Sequence, residues 1–275
     1  MIMNKKFVSK RLKRKALLYF LALVTFLIIY QNWFVLSEYG KHYYHQWFSN
    51  PKEKFDKNHD VSGLGVKLPE KFSIYGIDIS KHQGLIDWDK VDNQYFDKKS
   101  FSFVFLKATE GYSRQDPSYD RNWEKAKNTS MYCGAYHFYR PGAGAKKQAK
   151  NFIKHANISS GDLAPVLDVE KISAKYTIKQ HQDEILSILK EFEREYKISP
   201  IIYTNTDVFN KLLNENKFSD YPIWIAKYHP DEPKLDVRWK FWQFTEKGIV
   251  DGIDEFVDIN VFRGSLKELK QLRIP

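Results

Sequence analysis

Asp168 and Glu170 close the apolar run Ala164-Pro165-Val166-Leu167-Asp168-Val169-Glu170 with two carboxylates one residue apart. In an extended strand, side chains two apart leave the same face, so this spacing aims both acids at one space. Carboxylates that close resist joint ionisation, which keeps one protonated near neutrality and available as a general acid. A D-x-E tripeptide is also a common solvated turn at a strand exit, so the pair gains meaning only from what converges on it. Two further acids end predicted strands, Asp78 in Ile77-Asp78-Ile79 and Asp258 in Val257-Asp258-Ile259-Asn260. For each, a cap or Asx turn is the ordinary alternative.

Four acids around one cavity fit hydrolysis of a glycosidic bond. One carboxyl protonates the leaving oxygen, and the others stabilise positive charge on the sugar ring. Oxygen-rich rings also suit calcium or magnesium. No EF-hand spacing or phosphate loop accompanies these acids, however, and neither a metal nor another cofactor is expected. His82, His137 and His229 lack zinc-site spacing and read as hydrogen-bonded structural histidines. The single cysteine, Cys133, excludes an intrachain disulfide and, inside an apolar run, reads as a small core residue.

Aromatic and polar side chains occur where sugar rings need platforms. The candidates for substrate binding are Tyr136, His137, Tyr139, Tyr203, Trp224, Tyr228, Trp242 and Gln243. Half of each alternating set must face a barrel wall, so Tyr136, Trp224 and Trp242 are expected to include a core residue.

The elements that must position these groups alternate. Predicted strands cover 73–79, 102–108, 133–139, 164–170, 200–204, 222–227, 240–244 and 256–260, several of them apolar throughout, as in parallel strands covered on both faces. Helical patterns lie at 88–96, 117–128, 145–156, 177–196 and 207–214, with a closing helix at 265–272. In the helix over 177–196, Ile178, Ile185, Leu189, Phe192 and Tyr196 share one face. The last three strands have too little sequence between them for crossover helices. The fold class is therefore α/β, an irregular TIM-like (β/α)5(β)3 barrel. Reactive groups collect at the C-terminal strand ends of such a barrel, and its first and last strands are neighbours. Asp78 should then lie beside Asp258, with Asp168 and Glu170 facing them across the mouth.

Residues 1–36 carry +7 of the formal +10 charge, leaving +3 for residues 37–275, so a nucleic-acid-reading face on the main domain is poorly supported. Residues 1–15 read as a basic cytoplasmic tail. Residues 16–36, ALLYFLALVTFLIIYQNWFVL, hold no charge and would span about 32 Å as a helix, matching the ~30 Å hydrocarbon core. This is the pattern of an uncleaved single-pass anchor with a cytoplasmic N-terminus. Residues 37–71 read as an extracytoplasmic tether, and residues 72–275 as the barrel domain. An exported domain without disulfides fits a bacterial cell membrane.

From about Tyr75 to Phe262 the chain resembles glycoside hydrolase family 25, the Chalaropsis-type lysozymes. The likeness rests on Gly76-Ile77-Asp78-Ile79-Ser80 with His82-Gln83-Gly84, Phe105 to Gly111, Gly134-Ala135-Tyr136-His137-Phe138, Leu167 to Glu170, Trp224 to Tyr228, Trp242-Gln243-Phe244 and Val257 to Asn260. The resemblance implies a barrel of eight strands and five helices. It implies muramidase activity on the β-1,4 bond between N-acetylmuramic acid and N-acetylglucosamine, with peptidoglycan strands as the partner. It implies that Glu170 is the general acid, that Asp168 orients the substrate N-acetyl group, and that Asp78 and Asp258 support them. Net retention with acetamido assistance is implied too, although sequence does not separate a retaining from an inverting outcome. A surface protein that holds peptidoglycan in the same cleft without cutting it is the alternative function.

Overall fold

The computed structural model describes Tyr19, Val24–Phe26 and residues 63–229, 231–235 and 239–275. The chain divides into two compact units, Met1–Ser49 and Asn50–Pro275. The expected basic tail, and nearly all of the expected spanning helix and tether, lie outside the described residues. The four described residues within 16–36 are helical. Among the described residues, no helix is long and apolar enough to cross a membrane.

In chain order the second unit runs β1 (Ile74–Ile79), α1 (Trp88–Asp92), β2 (Phe101–Glu110), β3 (Arg114–Gln115), α2 (Tyr119–Ala126), β4 (Tyr132–Phe138) and α3 (Ala145–His155). It continues with β5 (Val166–Val169), α4 (Ile178–Tyr196), β6 (Ile201–Asn205) and α5 (Thr206–Val208, passing into a π-helical turn Phe209–Leu213). It ends with β7 (Ile223–Ala226), β8 (Phe241–Gly248), β9 (Val257–Phe262) and α6 (Leu266–Lys270). The strands lie in the order β1-β9-β8-β7-β6-β5-β4-β2, and a β1–β2 pairing closes the ring. The two-residue β3 hangs on the end of β2. An α/β barrel of eight strands is thus formed, with no helix between β7 and β9 among the described residues.

One strand departs from expectation. β9 runs antiparallel to both β8 and β1, whereas every other neighbouring pair of the eight-stranded ring is parallel. The connection from β8 to β9 carries no crossover helix, and without one the chain turns straight back, which gives an antiparallel pair. Asp258 therefore stands near the start of its strand. It reaches the same mouth as Asp78 because the strand direction is reversed.

Strand alternation sorts the apolar residues into two cores. Ile74, Phe103, Phe105, Val166, Tyr203, Trp224, Phe241 and Phe262 fill the barrel, joined from α6 by Leu269. Their sequence neighbours Tyr75, Val104, Leu106, Leu167, Ile225, Trp242 and Val261 pack outward against the helices. Two glycines make room for large interior rings. A Cβ on Gly76 would stand 2.4 Å from the Phe103 ring, and one on Gly134 would stand 2.5 Å from that of Phe105. Cys133 is buried on the outer side, and burial pushes its thiol up to about 12.

α4, the longest helix, follows from its sequence. Thr177 caps it and Gln180 returns the bond in a capping box, while Ile185, Leu189, Phe192 and Tyr196 form its buried face. Ile178, expected on that face, is exposed in the first turn. At the other end of the unit, Leu64 and Leu68 are buried in the outer core, and the Leu64 carbonyl accepts from the Ile249 N–H at 2.8 Å. Packing therefore extends to the N-terminal side of the boundary placed at residue 72.

Candidate active site

Asp78, Asp168, Glu170 and Asp258 line one cavity of about 270 Å³. Backbone register brings them there. Asp78 and Asp258 are directly paired across β1 and β9. Asp168 is the interior-facing residue two after Val166, and Glu170 continues the same alternation just beyond β5.

A network of neutral amides holds Asp78. Its Oδ1 accepts from Gln243 Nε2 at 2.9 Å and from Asn260 Nδ2 at 2.7 Å. Gln243 Oε1 in turn accepts from the hydroxyls of Tyr203 at 2.8 Å and Tyr228 at 2.9 Å, and Asn260 Oδ1 accepts from Trp224 Nε1 at 2.8 Å. Each amide is oriented by the donors behind it, so both turn their N–H groups toward the carboxylate. Trp224 is fixed further by stacking on Phe105, with ring centroids 4.7 Å apart.

The cavity raises the proton affinity of its acids. Burial lifts Asp78 to about 7, the bonds from Asn260 and Gln243 oppose it, and the charge of Glu170 adds to it. Burial, followed by the charges of Asp78, Glu246 and Glu170, lifts Asp258 to about 9. Asp168 is driven well above the carboxylate range, first by burial and then by Glu170, while Lys107 pulls the other way. Asp168 Oδ1 is also buried with no hydrogen-bond partner among the described residues. An orphaned oxygen of this kind is costly unless a ligand completes it. Among the described residues, no three of His, Cys, Asp or Glu are grouped so as to hold a metal ion.

The profile of glycosyl hydrolases family 25 matches residues 77–253. The chain belongs to that family. The uncharacterized protein YegX of Escherichia coli O6:H1 is 34% identical over 96% of this chain and 95% of its own length. Lysozyme M1 of Streptomyces globisporus is 31% identical over 72% of this chain and 71% of its own. Among solved structures, a family 25 glycosyl hydrolase from Bacillus anthracis superposes with a TM-score of 0.69 at 28% identity, over 78% of this chain and 98% of that one. The chain is accordingly a glycosidase. Asp258 lies beyond the matched stretch, yet its pairing with Asp78 places it in the same cavity.

In this family 25 glycosidase, five of the candidates, Tyr136, Tyr203, Trp224, Tyr228 and Gln243, line the cavity. Three other candidates do not. Trp242 is fully buried on the outer face of β8, where its Nε1 donates to the Lys227 carbonyl at 2.9 Å. His137 is fully buried behind β4, bonded to Thr109 Oγ1 at 2.7 Å and Gln148 Oε1 at 3.3 Å. Burial holds it down at about 4, so it is neutral. Tyr139 is buried and donates to Glu184 Oε2 at 2.7 Å, and the same carboxylate holds the Gly142 and Gly144 amides, so it fastens a loop. One rule explains all three. The interior set includes Tyr136, Trp224 and Gln243, and a residue one step along the strand faces the helices.

The same rule brings further side chains to the cavity. Ser80 is two beyond Asp78, Lys107 two beyond Phe105 and Phe138 two beyond Tyr136, and all three line the cavity. His82, read as structural, also lines it, as does Glu246.

Proposed function

We propose that the chain is a peptidoglycan hydrolase, a muramidase cutting the β-1,4 bond between N-acetylmuramic acid and N-acetylglucosamine. What carries this reading is the convergence of Asp78, Asp168, Glu170 and Asp258 on one aromatic-lined cavity of a family 25 chain. The lysozyme among its relatives supports the same substrate.

Glu170 donates its proton to the glycosidic oxygen as the bond to C1 breaks. The acetamido oxygen of the same sugar attacks C1 and forms a cyclic oxazolinium. Asp168 offers its unpartnered Oδ1 to the acetamido N–H. The proton that burial holds on the Asp168–Glu170 pair is the one passed to the leaving oxygen, so Asp168 meets the growing positive charge as a carboxylate. Asp78, whose ionised form Asn260 and Gln243 favour, supplies negative charge on the opposite wall, and Asp258, raised to about 9, stands beside it as a neutral carboxyl. Water then attacks C1, giving its proton to the Glu170 carboxylate, and configuration is retained.

The experiment is Glu170→Gln assayed for new reducing ends from purified cell wall, with product masses read by mass spectrometry. Removing the proton donor lowers turnover by about 10²- to 10⁴-fold with folding intact. Unchanged release would defeat the assignment, and a wild-type chain that binds glycan without cutting it would favour the receptor reading.

Residues 16–36 anchor this activity in a bacterial membrane with the barrel outside, which confines cutting to glycan near the membrane. The support is the uncharged apolar run and the seven basic residues just before it. Membrane fractionation of the full chain and of one lacking residues 1–36 tests it. Equal release of both into the soluble fraction would end the idea.

A further inference from the structure

Beside the acidic cavity stands a cluster of the opposite charge that the bond-cutting steps do not use. Phe138 ends β4, in register with Glu110 on one side and Asp168 on the other. Three cations surround its half-buried ring. Lys107 Nζ lies 4.5 Å from the centroid, Arg140 Cζ 4.9 Å and Lys171 Nζ 5.4 Å. Glu110 is the carboxylate that answers them. It accepts from Lys107 at 2.9 Å, from Arg140 Nε at 2.9 Å and from Arg114 at 3.0 Å. Against the opposing effect of burial, the bonds from Lys107 and Arg140 hold Glu110 at about 2.

Three cations, Lys107, Arg114 and Arg140, thus share the Glu110 carboxylate, and the fourth, Lys171, makes no ion pair among the described residues. The excess positive charge sits at the rim, because Lys107 and Phe138 line the cavity and Lys171 directly follows Glu170. The N-acetylated sugar rings of the glycan are neutral and give these cations nothing to neutralise. The peptide stem attached to each muramic acid ends in free carboxylates, and it leaves the sugar close to the bond being cut.

We propose that Lys107, Arg140 and Lys171, arrayed around Phe138, form a subsite for the carboxylates of that stem peptide, so that the enzyme prefers peptide-bearing glycan over bare glycan. The aromatic ring holds the cations in place and shields one side of them from water, which strengthens their pull on a carboxylate. This inference rests on the muramidase reading and adds to it a determinant of specificity.

The test compares kcat/KM of the full-length chain on purified glycan strands carrying stem peptides and on the same strands stripped by an amidase. The wild type prefers the peptide-bearing strands, and raising salt erodes the preference. Lys171→Glu, at an exposed position, reduces that ratio about fivefold, chiefly through KM, and Arg140→Gln reduces it in the same sense. Lys267→Glu, exposed on α6 at the other end of the barrel, leaves the ratio at its wild-type value. Equal cutting of both glycans by the wild type overturns the proposal, as does a Lys171→Glu variant that loses activity equally on both. In either case the muramidase reading stands. A wild-type chain that cuts neither glycan overturns both.

Discussion

Gln243→Leu separates the hydrogen-bonded frame of the site from its chemistry. The amide is buried, it donates one of the two bonds that favour the ionised form of Asp78, and it receives the hydroxyls of Tyr203 and Tyr228. A hydrogen bond to a charged group is worth about 1.5–3 kcal/mol, and one pKa unit corresponds to about 1.4 kcal/mol. Losing this donor should therefore raise Asp78 by about one to two units from its position near 7. Asp78 must be ionised to stabilise the sugar cation, so the acid limb of the kcat/KM profile should move upward in pH by that amount. Activity at pH 7 should fall by about tenfold or more and recover partly in alkaline buffer. The stranded Tyr203 hydroxyl should cost a further ~1–3 kcal/mol of stability, read as a lower urea midpoint. An acid limb that stays where it is, or moves downward, would refute the argument that amide donors set the ionisation of Asp78.

Trp242→Ala should cost about 3–5 kcal/mol of stability through the lost outer core, where the ring packs near Trp239 and Phe244. Turnover per folded molecule should be retained, and a selective loss of turnover in a stable protein would return Trp242 to the site. His137 binds its proton less readily folded, at about 4, than unfolded, near 6.5. Its contribution to stability is therefore complete above about pH 6.5 and is lost as pH falls toward 4, about 3 kcal/mol in all. His137→Gln should flatten that part of the stability curve, measured by urea unfolding between pH 4 and 7, and an unchanged slope would show that another group is responsible.

Much of this protein is legible along the chain because its signals are local. The apolar runs of the strands, the capped face of α4 and the D-x-E spacing of Asp168 and Glu170 each depend on residues a few positions apart, where strand and helix periods operate. Even the division between Tyr136, which lines the cavity, and His137, which does not, is a matter of alternation once one interior residue is known. The remainder depends on contacts that close the ring. The antiparallel course of β9 follows from what its connection lacks. The grip on Asp78 joins it to residues 165 and 182 positions away. Proton affinities in the cavity depend on burial and on Glu170 standing against three aspartates, effects that exist only when distant segments exclude water together. Residue types and their periods specify the parts and the faces they present. Closure of the barrel sets which charges meet and how strongly each holds its proton, because electrostatic energy depends on distance through space and on the water that folding removes.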